Sequence, residues 1–379
     1  MSYQRCTKCV MDTDDPLITF NTSGECNYCE TWRLQSNRMG NVPNGLAVWE
    51  NVVLPKIKAS GIGKKYDCVI GISGGIDSSF VAYIAKQYGL RTLLVHASTG
   101  FDSNISKRNL QRILEYTGFD IVYPTVDAED FRSVQIAYLK ASVLDADVPA
   151  DYLIETFERK TALDNKVKYV LSGGNFYADA FMPYSWTYPN KQDYTNLINI
   201  NRAYGFCDLK SFPKFGAWQV LVARYYKKLI YATPLNYVGY TRPKAFKILA
   251  DKLGYEDYGE KHFENIFTRF YQAYILPTKF GIDKRKANYS NYIRSGGLTK
   301  EQALNKLHEP AYPTEMFVAD KAFILNKLKL SDKEFDDIMA LPIVSHKHFG
   351  SDAWIYNIEK PYLLCRRLGK KLLRYIHVI

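Results

Sequence analysis

Two short stretches carry side chains that do chemistry only in company. The first is CTKCVMDTDDPLITFNTSGECNYC, in which Cys6, Cys9, Cys26 and Cys29 form two CxxC pairs. Thiolates three residues apart on a tight turn can face one ion, and two such turns complete a tetrahedron at about 2.3 Å per bond. Structural zinc is the expectation; a rubredoxin-like iron site or plain reduced thiols are the alternatives. Four thiolates leave no open coordination position, so no reaction is expected at the metal. Within the connection, residues 17–20 read as a strand and NTSG as a turn. A module of residues 1–32 is too small to fold without its ion, and metal removal is expected to unfold that module alone. Cys68, Cys207 and Cys365 form no further pair.

The second stretch is SGGIDSS, residues 73–79. Gly74 and Gly75 let the backbone turn tightly and approach an anion without a Cβ in the way. Ser73, Ser78 and Ser79 bring hydroxyls to the start of a helix, where free N–H groups and the macrodipole favour negative charge. Asp77 is odd in such company. Either Mg²⁺ bridges it to phosphates or it caps the helix. A kinase-type loop would carry a lysine here, and this one does not. An ordinary glycine-serine turn is the plain alternative.

The elements around this loop suit it. Apolar runs at 68–72, 92–97, 121–125 and 169–172 alternate with helical periodicity. Phe80, Val81, Ile84, Ala85 and Tyr88 share one helical face, and Ile105, Leu110, Ile113 and Leu114 share another. Near-continuous apolar strands between amphipathic helices predict a doubly wound α/β domain with a parallel sheet, over residues 61–235. Residues 33–60 read as a linker and one helix. After about residue 240 helix caps dominate. Ser331 with Glu334 and Thr299 with Gln302 are capping boxes, and Leu330 against Phe335 is a staple. A mostly helical domain over 236–379 is expected.

The 379-residue chain is 47% hydrophobic and carries a formal net charge of +11. The charge suits an anionic partner such as a nucleotide, a phosphosugar, RNA or an acidic protein face. No apolar run approaches the ~18 residues of a membrane span, and no secretory signal is seen, so a cytoplasmic protein is expected.

SGGIDSS after a first strand resembles the PP-loop of the ATP pyrophosphatase superfamily, whose members split ATP between the α and β phosphates and pass AMP to a carbonyl oxygen. The missing lysine then follows, since no γ-phosphoryl group is transferred. LLVHASTGFDSN, with His96 and Ala97, resembles the segment that frames the adenine. YVLSGGN, with Gly173, Gly174 and Asn175, resembles the strand end beside ATP. Over nearly its whole length the chain resembles the N-acetyl sugar amidotransferase family of bacterial lipopolysaccharide O-antigen and surface-glycan biosynthesis. The cysteine module, SGGIDSS and YGEKHFENIFTRFYQAYILPTKFGIDKRKANYSNYIRSGGLTKEQAL carry that likeness. The resemblance implies conversion of an acetamido group of a nucleotide-activated sugar, UDP-linked by expectation, to an acetamidino group. ATP and Mg²⁺ would be required, with AMP and pyrophosphate released. It also implies ammonia from a glutaminase and a channel subunit akin to the histidine-pathway amidotransferase pair, with neither membrane nor nucleic acid as partner. EKHFEN offers Lys261, His262 and Glu264, and FGIDKRKA offers Asp283, Lys284 and Arg285; of the cations among them Lys261 and Lys284 are the first choices for neutralising the α-phosphate, with a solvated surface lysine as the alternative for each. His262 reads as a buried structural histidine. The aromatic run 176–190 would stack a uracil, line a sugar pocket or pack the core. The rival family reading is a PP-loop tRNA-modifying enzyme, a thiolase or a lysidine-type ligase.

Overall fold

The computed structural model describes residues 3–36 and 44–356. Five strands, β1 (Cys68–Gly71), β2 (Thr92–Val95), β3 (Asp120–Val122), β4 (Tyr169–Leu171) and β5 (Ile230–Ala232), form one sheet. Their order is β3-β2-β1-β4-β5 and every pairing is parallel. Cys68 sits opposite Thr92, and Val69 opposite Val170. The chain winds outward from β1 through β2 to β3, then returns to the other side of β1. The strand order therefore reverses between β1 and β4, and a crevice opens there beyond their carboxyl ends.

Side chains alternate across this sheet as its pleat demands. Cys68, Ile70, Leu94 and Leu171 pack with Phe80, Val81 and Ile84 of the Ile76–Gln87 helix, and with Leu110 and Ile113 of the Asn104–Thr117 helix. Val69, Leu93, Val95 and Val170 pack on the opposite side with Ala162, Val167 and Leu229. Both faces are covered, which is why the strands read as unbroken apolar runs. Ser103 starts the Asn104–Thr117 helix by accepting from the Ser106 amide, and Gly118 ends it in the left-handed region.

The strands are shorter than their apolar runs. Each stops one to three residues before the run does, because the chain turns away from the sheet at the crevice. β5 carried no sequence signal. Its three residues form a largely exposed edge without alternation. In the cysteine module the expected strand at 17–20 is absent; only Phe20 makes a single bridge, to Cys26. The NTSG turn is present, held by Asn21 Oδ1 accepting from the Ser23 and Glu25 amides at 3.1 and 2.9 Å. Part of the expected linker, residues 37–43, lies outside the described residues, as does Cys365.

A third apolar cluster joins elements far apart in sequence. It contains Cys6, Cys9, Cys26 and Cys29, together with Tyr138 and Tyr152, and Phe270, Leu328 and Phe335 from the C-terminal helices. The cysteine module is thus part of a larger core. Its unfolding alone on metal loss, as expected from its size, is not compatible with that packing. The aromatic run 176–190 packs as well. Phe176 stacks on Trp32 at 5.8 Å, Tyr188 stacks on His346 at 3.9 Å, and Trp186 is buried.

Both capping boxes form. Ser331 Oγ accepts from the Glu334 amide at 3.2 Å, and the Glu334 carboxylate accepts from the Ser331 amide at 2.8 Å. Leu330 packs against the cluster that holds Phe335. Ser331→Ala is expected to lower unfolding stability by about 1 kcal/mol, measured as a shifted urea midpoint at unchanged slope.

Candidate active site

The loop after β1 is shaped by what presses on it. Gly74 has φ +77°, and a Cβ there would lie 2.2 Å from the Ser106 carbonyl oxygen. A Cβ on Gly75 would lie 2.7 Å from Glu264 Oε1. Glycine is required at the first for conformation and at the second for space. Within the loop, Ser73 Oγ accepts from the Gly75 amide at 3.2 Å, and Ser78 Oγ accepts from the Ser73 amide at 3.3 Å. The helix that follows has Gly75 as its N-cap. Asp77 therefore lies inside the first turn, and capping is not its role.

Three tyrosines from beyond the sheet brace this loop. Tyr255 donates to the Gly74 carbonyl at 2.6 Å, and Tyr258 accepts from the Ile76 amide at 3.0 Å. Tyr240 donates to the Asp77 carboxylate. Burial, with Asp179 nearby, pushes the Asp77 carboxyl above its ordinary value despite Lys261 and Tyr240.

A cavity of about 420 Å³ opens at the switch point. Ser73, Gly75, Asp77, Ser78, His96, Ala97, Gly173, Gly174, Lys261 and Lys284 line it. Gly74, Ser79 and Asn175 do not. Gly74 turns against Ser106, Ser79 is fully buried, and Asn175 accepts from the Ala178 amide at 2.8 Å to start a short helix. Lys261 is buried and ion-paired to Asp179. Burial disfavours its charge, but Asp179 prevails and its pKa rises. Lys284, also buried, starts the Lys284–Arg294 helix with its Nζ 5.6 Å from the centre of the Tyr271 ring. His96 sits 2.7 Å from the Ile72 carbonyl through Nδ1 and 3.5 Å from Asp102 through Nε2. Burial opposes its charge, yet Asp102 lifts its pKa overall. His262 has φ +67°, and burial followed by Lys261 lowers it to about 3, so it is neutral. Asp283 and Arg285 pair with each other, and Arg285 donates to the Glu309 carbonyl at 2.8 Å, which gives the pair a structural task.

Several lining residues went unread in the sequence. Asp145, Asp147 and Asp151 lie in DADVPAD, an acid-rich start to the Val148–Asp164 helix that was a visible signal. Asp179, Lys191, Glu158 and Arg242 had none. Eight carboxylates line the cavity against four lysine or arginine side chains. In a chain of net charge +11 this is a local reversal of sign, and an anionic ligand here needs cations to accompany it.

The remaining wall, including Glu264, Thr268, Gln272 and Lys284, comes from the C-terminal third. Residues 264–361 match the family model described as LPS biosynthesis protein WbpG-like, C-terminal domain. Over these residues the chain is similar to that domain. No curated protein matches the chain. Among solved structures, the "predicted subunit of tRNA methyltransferase" from Methanocaldococcus jannaschii shares 18% identity at a TM-score of 0.29, over 49% of this chain and 74% of that one. An NMN synthetase from Francisella tularensis shares 14% at 0.27, over 54% and 85%. An NH3-dependent NAD synthetase from Campylobacter jejuni shares 13% at 0.27, over 77% and 95%. Scores this low say nothing about chemistry.

The residues of this match also receive the cysteine module. The four Sγ atoms lie within 4.8 Å of one another, with Cys6–Cys29 at 3.9 Å and Cys9–Cys26 at 3.7 Å. A tetrahedron with about 2.3 Å bonds has edges of about 3.8 Å, so the set fits a four-coordinate ion. Amides of Lys8 and Cys26 point at Cys6 Sγ at 3.3 and 3.2 Å. Arg294 reaches Cys29 and Cys9 at 3.3 and 3.6 Å. Such donors offset the charge of metal-bound sulfur. Lys300 Nζ donates to the Cys6 carbonyl at 2.6 Å, and Lys286 Nζ to Asp12 at 2.6 Å.

Cys9→Ser with Cys26→Ser is expected to abolish stoichiometric metal by elemental analysis and to lower the melting temperature of the whole chain. Retained metal would refute the four-thiolate site. Glu264 generates a second prediction. Its Oε2 is buried without a partner, and burial, followed in part by Asp77, pushes its carboxyl up to about 7. The folded state then holds a proton that the unfolded state loses, so stability falls as pH rises toward 7. Glu264→Gln is expected to stabilise the chain by roughly 1–3 kcal/mol above pH 7 and to lose that advantage below the ordinary glutamate pKa, as read from urea melts across pH.

Proposed function

We propose that the chain is an ATP-dependent, AMP-forming ligase that turns the acetamido group of a nucleotide-activated sugar into an acetamidino group. The observation that carries this reading is the joint construction of one cavity. A phosphate-binding loop without a lysine forms one wall, and a region similar to a WbpG-like domain of lipopolysaccharide biosynthesis supplies the buried Lys284, and Glu264, of another.

An amide is a poor electrophile, and its oxygen is a poor leaving group. Attack of that oxygen on the α-phosphorus of ATP breaks the bond to the β-phosphate and releases pyrophosphate. Ammonia then forms a bond to the activated carbon, and the oxygen leaves with AMP. The loop amides, Ser73 and Ser78 hold the departing pyrophosphate. Lys261, charged and desolvated beside Asp179, faces the charge that grows on the α-phosphate, with Lys284 and Arg242 on the same cavity. His96 and Ala97 border the adenine side. Asp77 and Asp179 suit Mg²⁺, which would offset phosphate charge in a site rich in carboxylates. The addition step requires that water be kept from the activated carbon, since water would return the starting amide. The cysteine set takes zinc in a structural role. Ammonia from a separate glutaminase partner belongs to the same reading, as does a cytoplasmic site of action.

A sulfur-transferring tRNA enzyme is less well supported. Among the described residues no cysteine lines the cavity. Cys68 is buried in β1, 3.4 Å from Thr92 Oγ1, and Cys207 faces Asp130 at 3.4 Å. No helix among the described residues is long and apolar enough to cross a membrane.

The full-length protein, incubated with ATP, Mg²⁺, ammonium chloride and a panel of UDP-N-acetyl sugars, is expected to yield AMP and a sugar carrying NH in place of oxygen by mass spectrometry. Asp77→Ala is expected to remove AMP release while leaving the circular dichroism spectrum unchanged. ADP as the product, or AMP only with tRNA and a sulfur donor, would overturn the proposal.

A further inference from the structure

One end of the cavity wall is formed where the Val148–Asp164 helix begins. Asp145 is 1% exposed there. Its Oδ2 accepts from the Thr187 hydroxyl at 2.5 Å and the Tyr188 amide at 2.9 Å, and pairs with Lys191. Its Oδ1 is buried with no partner. An orphaned carboxylate oxygen in a dry wall is costly unless a donor arrives. Asp147, 6% exposed, immediately precedes the helix yet makes no capping bond. Among the described residues its side-chain partner is Thr268 Oγ1, at 3.2 Å. Two buried acceptors of unmet capacity thus border one space.

We propose that this end of the cavity binds ammonium between Asp145 Oδ1 and Asp147, and that Asp147 takes its proton to release ammonia for addition to the activated amide carbon. The inference rests on the amidotransferase reading. Its chemistry follows from what ammonium is. The cation has four N–H donors, no lone pair and a small radius, so it is held by carboxylate oxygens and is inert until deprotonated. The charged groups facing Asp147 are Asp145, Asp151, Lys191 and Lys284, with the Tyr271 hydroxyl nearby. Burial first, then Asp151, pushes the Asp147 carboxyl up to about 7, so it exchanges a proton near neutrality. The geometry is not that of a metal site. The described residues bring together a metal-binding set only at the four cysteines.

The step balances. Ammonium gives its proton to the Asp147 carboxylate and becomes ammonia. The nitrogen lone pair forms the C–N bond. The C–O bond breaks with its electrons going to the phosphate oxygen, and the adduct's surplus proton leaves with AMP. The product is the amidinium cation.

The test uses the full-length chain in two arms. In thermal melts at about pH 8, ammonium chloride is expected to raise the wild-type melting temperature above that in equal sodium, potassium or tetramethylammonium chloride. The excess should vanish at about pH 5.5, where Asp147 is protonated, and in Asp147→Asn, which keeps the bond from Thr268. In turnover, Asp147→Asn should lose about ten-fold or more with ammonium but retain amidine-type product with hydroxylamine, which is already unprotonated. An equal rise with potassium, an excess that persists at low pH, or an unchanged ammonium response in Asp147→Asn would overturn the proposal. Ammonium-specific stabilisation without AMP formation would instead sink the amidotransferase reading and leave the ammonium site standing.

Discussion

Lys261 keeps its charge in a buried wall because the carboxylate of Asp179 lies against it, and the pair stands beside Asp77. Asp179 itself reaches water, so solvent screens the pair, but without that carboxylate Lys261 would be a buried cation with no counter-charge against it. The two residues come from distant segments, so the pairing holds those segments in register. Lys261 also donates to the Ala178 carbonyl at 3.4 Å. Around this pair the tyrosines of the segment 240–258 hold the loop after β1 from outside the sheet. A phosphate loop is ordinarily shaped by its own glycines and helix. Here it is also shaped by side chains of another layer, and the ligand would meet a turn that is already set.

The cysteine module extends the same logic. The Lys284–Arg294 helix has Lys284 in the cavity at one end and Arg294 on the thiols at the other. Its eleven residues make a rod of about 16 Å. Near its far end Asn291 donates to the carbonyls of Ala178 and Phe181 at 3.0 and 2.9 Å, next to Asp179. A four-thiolate site has no open position for chemistry. Its physical contribution is to fix one end of a helix whose other end carries a cation of the cavity.

The cavity's acid excess suits both halves of the proposed chemistry. On the proposed reading, phosphates would bring cations to Asp77 and Asp179, and ammonium would meet acceptors at Asp145 and Asp147. Both demands would favour carboxylates, in keeping with a negative pocket in a basic protein. Lys191, paired to Asp145 and Asp151, keeps the acid end from accumulating unscreened charge.

Local signals in the amino-acid order were sufficient for the parallel sheet, the loop at 73–79, the cysteine quartet and the two capping boxes. Each depends on neighbours a few residues apart, through strand alternation, a helix start, thiol spacing or an N-cap contact. The positions of Ser73, Gly75, Asp77, Ser78, Gly173 and Gly174 around one crevice follow from strand ends alone. Long-range packing decided the rest. Asp77 is held by Tyr240 across 163 positions, Lys261 by Asp179 across 82, and Asp147 by Thr268 across 121. The 17–20 strand failed because a lone segment with no partner strand has no ladder to join, and β5 escaped notice because its three residues acquire strand character only by pairing with β4. Charge burial is a property of the folded interior, so which acids and lysines share it could be read only once the layers had closed.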